Sequence, residues 1–120
     1  MSESKIIKGD SITIIQFAPG ITVSELVSKD TGATEISSSI ATFDVGSGNT
    51  THYHNAEESV IVAQGQGTVI INGQKHLVRK DDAVFITPGT HHKLINTGDG
   101  PFQVIYSYAT VDVTRTLIEE

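Results

Sequence analysis

From Ile12 to Tyr108 the chain is a succession of short runs rich in β-branched residues, separated by clusters of Gly, Asn, Asp, Ser and Pro. Turns roughly every eight to twelve residues and no apolar repeat at helical spacing point to an all-β domain, a sandwich or barrel. The alternation predicts strands over 12–17, 22–28, 37–45, 51–54, 59–63, 67–71, 74–79, 83–86, 92–96 and 102–108. Asn72-Gly73 sits between two such runs and predicts a two-residue hairpin, because both residues tolerate positive φ. Residues 1–11 and 109–120 lie outside the densest pattern, and either end could add an edge strand, on this chain or on a partner copy. Within the second, 111–114 alternates as a strand would, and the acidic end Glu119-Glu120 is expected to fray.

Composition narrows what this framework can do. A chain of 120 residues is enough for one domain with its own core, expected to span the whole length. Cysteine is absent, which rules out disulfides and thiolate ligands and leaves histidine and carboxylate as the metal-binding groups. The net charge is −6, with the basic residues scattered singly apart from Arg79-Lys80, so there is no stripe to neutralise phosphates and nucleic acid is excluded as a partner. No apolar stretch is long enough to cross a bilayer, and the chain is read as soluble and cytoplasmic. Gly46-Ser47-Gly48 lacks the Lys and helix of a phosphate loop and is read as a turn. Asn49-Thr50-Thr51 is read as a turn sequence rather than a glycosylation acceptor.

The chemistry concentrates in the histidines. His52 and His54 are two apart on a predicted strand, so their imidazoles project to one side while Tyr53 points to the other. Glu58 follows after a short turn, and His92 lies downstream in Thr87-Pro88-Gly89-Thr90-His91-His92. Three imidazoles and a carboxylate form a donor set suited to a divalent transition metal such as Fe, Mn, Ni, Zn or Cu. By strand parity His91 points away from His92, and His91 and His76 are set aside as ordinary surface histidines. The same parity puts Glu58, Val60 and Val62 on one face and leaves Ile61 on the other, in need of a covering layer or partner.

Gly46, five residues, His52-Tyr53-His54, three residues, Glu58, six residues and Gly65 reproduce the first motif of the cupin superfamily. The second motif is recognisable in Asp81, Thr87, Pro88, Gly89, His92 and Asn96, with Asp81 in place of Gly and Thr87 in place of Pro. Asp adopts a left-handed turn at little cost, so Asp81 can occupy a glycine's position. Over about residues 37–108 the chain therefore resembles a small single-domain, RmlC-like cupin. That resemblance implies a double-stranded β-helix, or jelly-roll β-barrel, with a metal inside it ligated by His52, His54, Glu58 and His92. It also implies a homodimer, for which the apolar run at 12–15 is a candidate contact.

Four protein ligands leave coordination positions open, as catalytic metal sites do. Phe102, Val104, Tyr106 and Tyr108 share one face of the last strand. If that face looks inward, Tyr106 is a candidate acid near the metal, although core packing is the commoner role of such aromatics. Arginine occurs only at Arg79 and Arg115, so a guanidinium clamp for a substrate carboxylate is not expected inside the barrel. The expected function is a metal-dependent enzyme acting on a small oxygenated molecule by oxidative or carbonyl- and enolate-activating chemistry. The alternative is a non-catalytic small-molecule, sugar-binding or sensor module. A free-standing chain of this length favours the enzyme.

Overall fold

A computed structural model describes residues 3–120. Its strands are β1 (Ile15–Ala18), β2 (Ile21–Val27), β3 (Ser37–Phe43), β4 (His52–His54), β5 (Glu58–Gln64), β6 (Gln66–Ile71), β7 (Gln74–Arg79), β8 (Ala83–Ile86), β9 (His92–Ile95), β10 (Phe102–Tyr108) and β11 (Arg115–Leu117). All pair antiparallel, in one sheet ordered β1-β2-β3-β10-β5-β8 and a second ordered β11-β4-β9-β6-β7. This is the jelly-roll arrangement expected, with one correction. The strands do not close into a continuous barrel: they form two separate hydrogen-bonded sheets that face each other, with β1, β8, β11 and β7 as edges.

The chain crosses between the sheets at corners where the backbone must turn sharply, and residues of both motifs stand at those corners. Gly65, between β5 and β6, has φ +78°, and a Cβ there would lie 2.2 Å from the Pro101 carbonyl oxygen. Asp81, between β7 and β8, has φ +77° and so takes the left-handed turn its position requires. Asn72 and Gly73 both have positive φ in the hairpin between β6 and β7, as the dipeptide predicts.

Alternation sends one face of each strand inward. Glu58, Val60 and Val62 are buried along β5, His52 and His54 along β4, His92 and Leu94 along β9, and Phe102 and Val104 along β10. Ile21 and Leu94 continue the core toward the histidines, while Phe43 and Phe102 meet at 5.6 Å between ring centroids and pack with Val69 at the other end of the interior. Asn96, 1% exposed, seals that end: its amide donates to the carbonyls of Phe43 (2.9 Å) and Gly100 (2.8 Å), and its side-chain oxygen accepts from the Gly98 N–H (3.0 Å). Ile61 stays exposed on the outer face beside its cross-strand neighbour Ile105.

The C-terminal segment departs from expectation. The strand predicted at 111–114 lies instead at Arg115–Leu117. Side chains take the earlier backbone groups: Asn55 donates to the Asp112 carbonyl and accepts from the Thr114 N–H, and Thr110 accepts from the Asp112 N–H. The ladder to β4 then begins at Arg115, opposite His54. Glu120 is not frayed, for its carboxylate accepts from the Thr51 N–H (3.0 Å) and from Lys93 (3.1 Å). Among the described residues no helix is long and apolar enough to cross a membrane.

Candidate metal centre

The open end of the interior holds the predicted constellation. β4 and β9 pair through His52 and His92, which brings the two imidazoles to 4.3 Å between ring centroids, and His54 lies 4.7 Å from His52 and 5.3 Å from His92. One ring nitrogen from each of the three can be chosen so that all lie within 4.8 Å of one another. Glu58 enters from the opposite sheet, its Oε1 3.1 Å from His92 Nε2 and 3.5 Å from His54 Nε2. All four residues are at most 5% exposed. Two sheets thus supply one donor set, the histidines from one and the carboxylate from the other.

Backbone carbonyls orient every ring. His52 Nδ1 donates to Thr50 O (2.6 Å), His54 Nδ1 to Thr114 O (2.9 Å) and His92 Nδ1 to Thr90 O (2.8 Å). A proton on each Nδ1 leaves a lone pair on each Nε2, the arrangement that metal-ligating imidazoles have. Burial, the largest influence, pushes His52 down to about 3 and lowers His54 as well, so both are neutral at physiological pH.

This arrangement leaves one conflict. His92 Nε2 and Glu58 Oε1 are 3.1 Å apart, and with the ring's Nδ1 proton given to Thr90 the two would be facing acceptors unless one of them carries a further proton. Two acceptors at that separation are reconciled by a cation between them, either a proton or a metal ion bound to both. A divalent ion also satisfies the neighbouring His52 and His54, which burial keeps from taking protons themselves. The donor set therefore fits a transition metal by its own chemistry.

A cavity of about 90 Å³ opens onto His52, Glu58 and His92. Its walls are mostly apolar, with Ile21, Val23, Phe43, Leu94 and Val104 among them. Tyr106 lines it too, as the inward parity of β10 allows, opposite Ser39 on β3. Tyr108 lies nearer the histidines: its hydroxyl is 3.3 Å from His54 Nε2 and its ring stands edge-on to that imidazole at 4.8 Å. Burial raises the pKa of both phenols, so both remain protonated donors.

Sequence reasoning singled out Tyr106 over Tyr108, although the two share one parity. The deciding signal was strand register, which pairs Tyr108 with Glu58. Arg115 is a clearer omission. No arginine was expected near the site, yet Arg115 lines the cavity, its guanidinium carbon 4.6 Å from the centroid of the Phe17 ring. No local pattern marks it, because β11 owes its position to hydrogen bonds made by the distant Asn55. Asn49, in the glycosylation-like triplet, has an internal role, its side-chain oxygen accepting from the Leu94 N–H (2.9 Å). His91 stacks on Tyr53 outside the site, with ring planes 11° apart.

A family model for the cupin domain matches residues 39–108. The chain belongs to the cupin family. Among curated relatives this cupin is 34% identical over 62 residues to the uncharacterized protein MJ1618 of Methanocaldococcus jannaschii, covering 51% of this chain and 50% of that one. It is 31% identical over 62 residues to the tetracenomycin polyketide synthase protein TcmJ of Streptomyces glaucescens, covering 51% and 42%. The matches thus span about half the length of those relatives. Among solved structures, the polyketide cyclase RemF of Streptomyces resistomycificus superposes with a TM-score of 0.85 over 98% of this cupin and 87% of that chain. At 14% identity, that likeness shows the jelly-roll fold.

Proposed function

We propose that this cupin is a metal-dependent enzyme that activates a carbonyl or enolate oxygen of a small oxygenated substrate, with His52, His54, Glu58 and His92 holding one divalent transition metal ion. The observation that carries the reading is the set of three buried imidazoles, each tied through Nδ1 to a backbone carbonyl, facing Glu58 at the edge of a cavity. When bound, such an ion supplies Lewis-acid polarisation of a substrate oxygen. The apolar wall limits water around the reacting atoms and strengthens polar interactions there. The Tyr108 phenol, kept protonated by burial, is placed to donate a proton at the cavity, with the Tyr106 phenol as a second hydrogen-bond donor. The part-length likeness to a polyketide synthase protein supports an enolisable carbonyl compound as the substrate class.

The test is turnover of a panel of enolisable oxo compounds by metal-loaded protein, with and without dioxygen. Turnover independent of dioxygen is expected, as is a loss of about 10- to 100-fold in Tyr108→Phe with the metal retained. Strict dependence on dioxygen would move the site to oxidative chemistry, and binding without turnover would make it a sensor or carrier. A homodimer joined along the β1 edge is also proposed, on the exposure of Ile14, Ile15 and Phe17 there. A monomer mass at micromolar concentration would contradict it.

A further inference from the structure

Arg115 has no role in the donor set, and its surroundings are not those of a surface arginine. It leaves the edge strand β11 half-buried and lies over Phe17 on β1, the edge of the other sheet, so that it spans the gap where the barrel fails to close. It lines the same cavity as Glu58, Tyr106 and Tyr108. Among the described residues no carboxylate lies within ion-pair distance of its guanidinium, and the guanidinium donates no hydrogen bond. Glu58 is engaged with His92 and His54 instead. A partly desolvated cation with its planar fork of N–H donors unspent is costly unless an anion completes it.

We propose that Arg115 is a specificity-determining residue that binds the carboxylate of the substrate, so that the substrate class is a compact oxo- or hydroxycarboxylate. The proposal deepens the function proposed above and rests on it for the second oxygen, which is the one directed toward His52, Glu58 and His92. The carboxylate meets the guanidinium fork at the gap between β1 and β11, and the short carbon skeleton lies against the apolar wall. Phe17 holds the guanidinium plane from below, which limits the directions the fork can face. A neutral substrate of the same shape leaves those donors unpaired and binds less well.

The experiment compares salicylate with salicylamide, and 2-oxobutyrate with 2-oxobutyramide, as matched acids and neutral amides. Equilibrium binding to zinc-loaded wild type, Arg115→Lys and Arg115→Met is measured by calorimetry, and bound zinc by elemental analysis of the same samples. The wild type is expected to bind at least one acid about 10- to 100-fold more tightly than its amide. Arg115→Met erases that preference, Arg115→Lys keeps part of it, and both retain zinc at the wild-type ratio. Wild-type protein that shows no acid preference in either pair overturns the proposal without reliance on any variant, and so does an unchanged preference in Arg115→Met. Wild-type protein that prefers the acids but retains no zinc supports the arginine site and overturns the metal reading, so the two failures are distinguishable.

Discussion

The two ends of the interior bury polar side chains to opposite effect. At the closed end, Asn96 has both amide hydrogens and its oxygen matched to backbone partners within 3.0 Å, and it serves as a clasp beneath Phe43 and Phe102. At the open end, His52, His54, His92 and Glu58 are as deeply buried, yet carbonyls have taken the imidazole protons, and His92 Nε2 is left facing Glu58 Oε1. Satisfied burial completes a fold. Burial left one cation short describes a binding site, with the cost of holding lone pairs together recovered when the ion arrives.

The largest expected effect comes from removing a donor at the open end. His52→Ala should bind metal at least about 100-fold more weakly, since even outer partners of ligating histidines are worth about 10- to 100-fold. Dialysis against a buffered metal series checks this, and turnover should fall with occupancy. At the closed end, Asn96→Ala leaves buried groups without partners and should lower folding stability by about 1–3 kcal/mol per orphaned group, with metal stoichiometry unchanged. Denaturant unfolding on metal-free and loaded protein separates the two ends.

A subtler substitution inverts the comparison. Glu58→Gln gives His92 Nε2 an N–H donor in place of a carboxylate lone pair. The metal-free protein should be as stable as wild type or more so, by about 1 kcal/mol, while metal affinity falls. Equal destabilisation of metal-free protein by Glu58→Gln and Asn96→Ala would mean that the open end is as well satisfied as the closed one.

The metal-free protein should also respond to pH. His52 sits at about 3 when folded, against 6.5 for an ordinary imidazole, because burial disfavours its charge. Between those values the unfolded chain binds a proton at position 52 that the folded chain does not. Stability is thus fully present above about 6.5 and lost as pH falls toward 3, by up to about 1.4 kcal/mol per pH unit. His54, lowered for the same reason, adds in the same direction. Urea midpoints across that window measure the slope.

What could be read from sequence follows the same division between local and distant causes. Two-residue alternation places His52 and His54 inward and Tyr53 outward. It likewise separates His92 from His91 and Glu58 from Ser59, because parity is local to each strand. Positive φ at Asn72, Gly73 and Asp81 was legible for a similar reason, since each residue type states its own backbone preference. β11 was not legible, for its start depends on Asn55 capturing the backbone of residues 112 and 114. Arg115 was lost with it. Nor could alternation reveal that the barrel stays open, because closure depends on how edges from distant parts of the chain meet.

The central claim is that three imidazoles and one carboxylate bind a single ion, and X-ray absorption at the metal edge of loaded, dialysed protein tests it most directly. The account predicts a first shell of nitrogen and oxygen with the outer-shell scattering of three imidazoles, reduced to two in His52→Ala. A spectrum without imidazole scattering, or protein that retains no ion after dialysis, would contradict it.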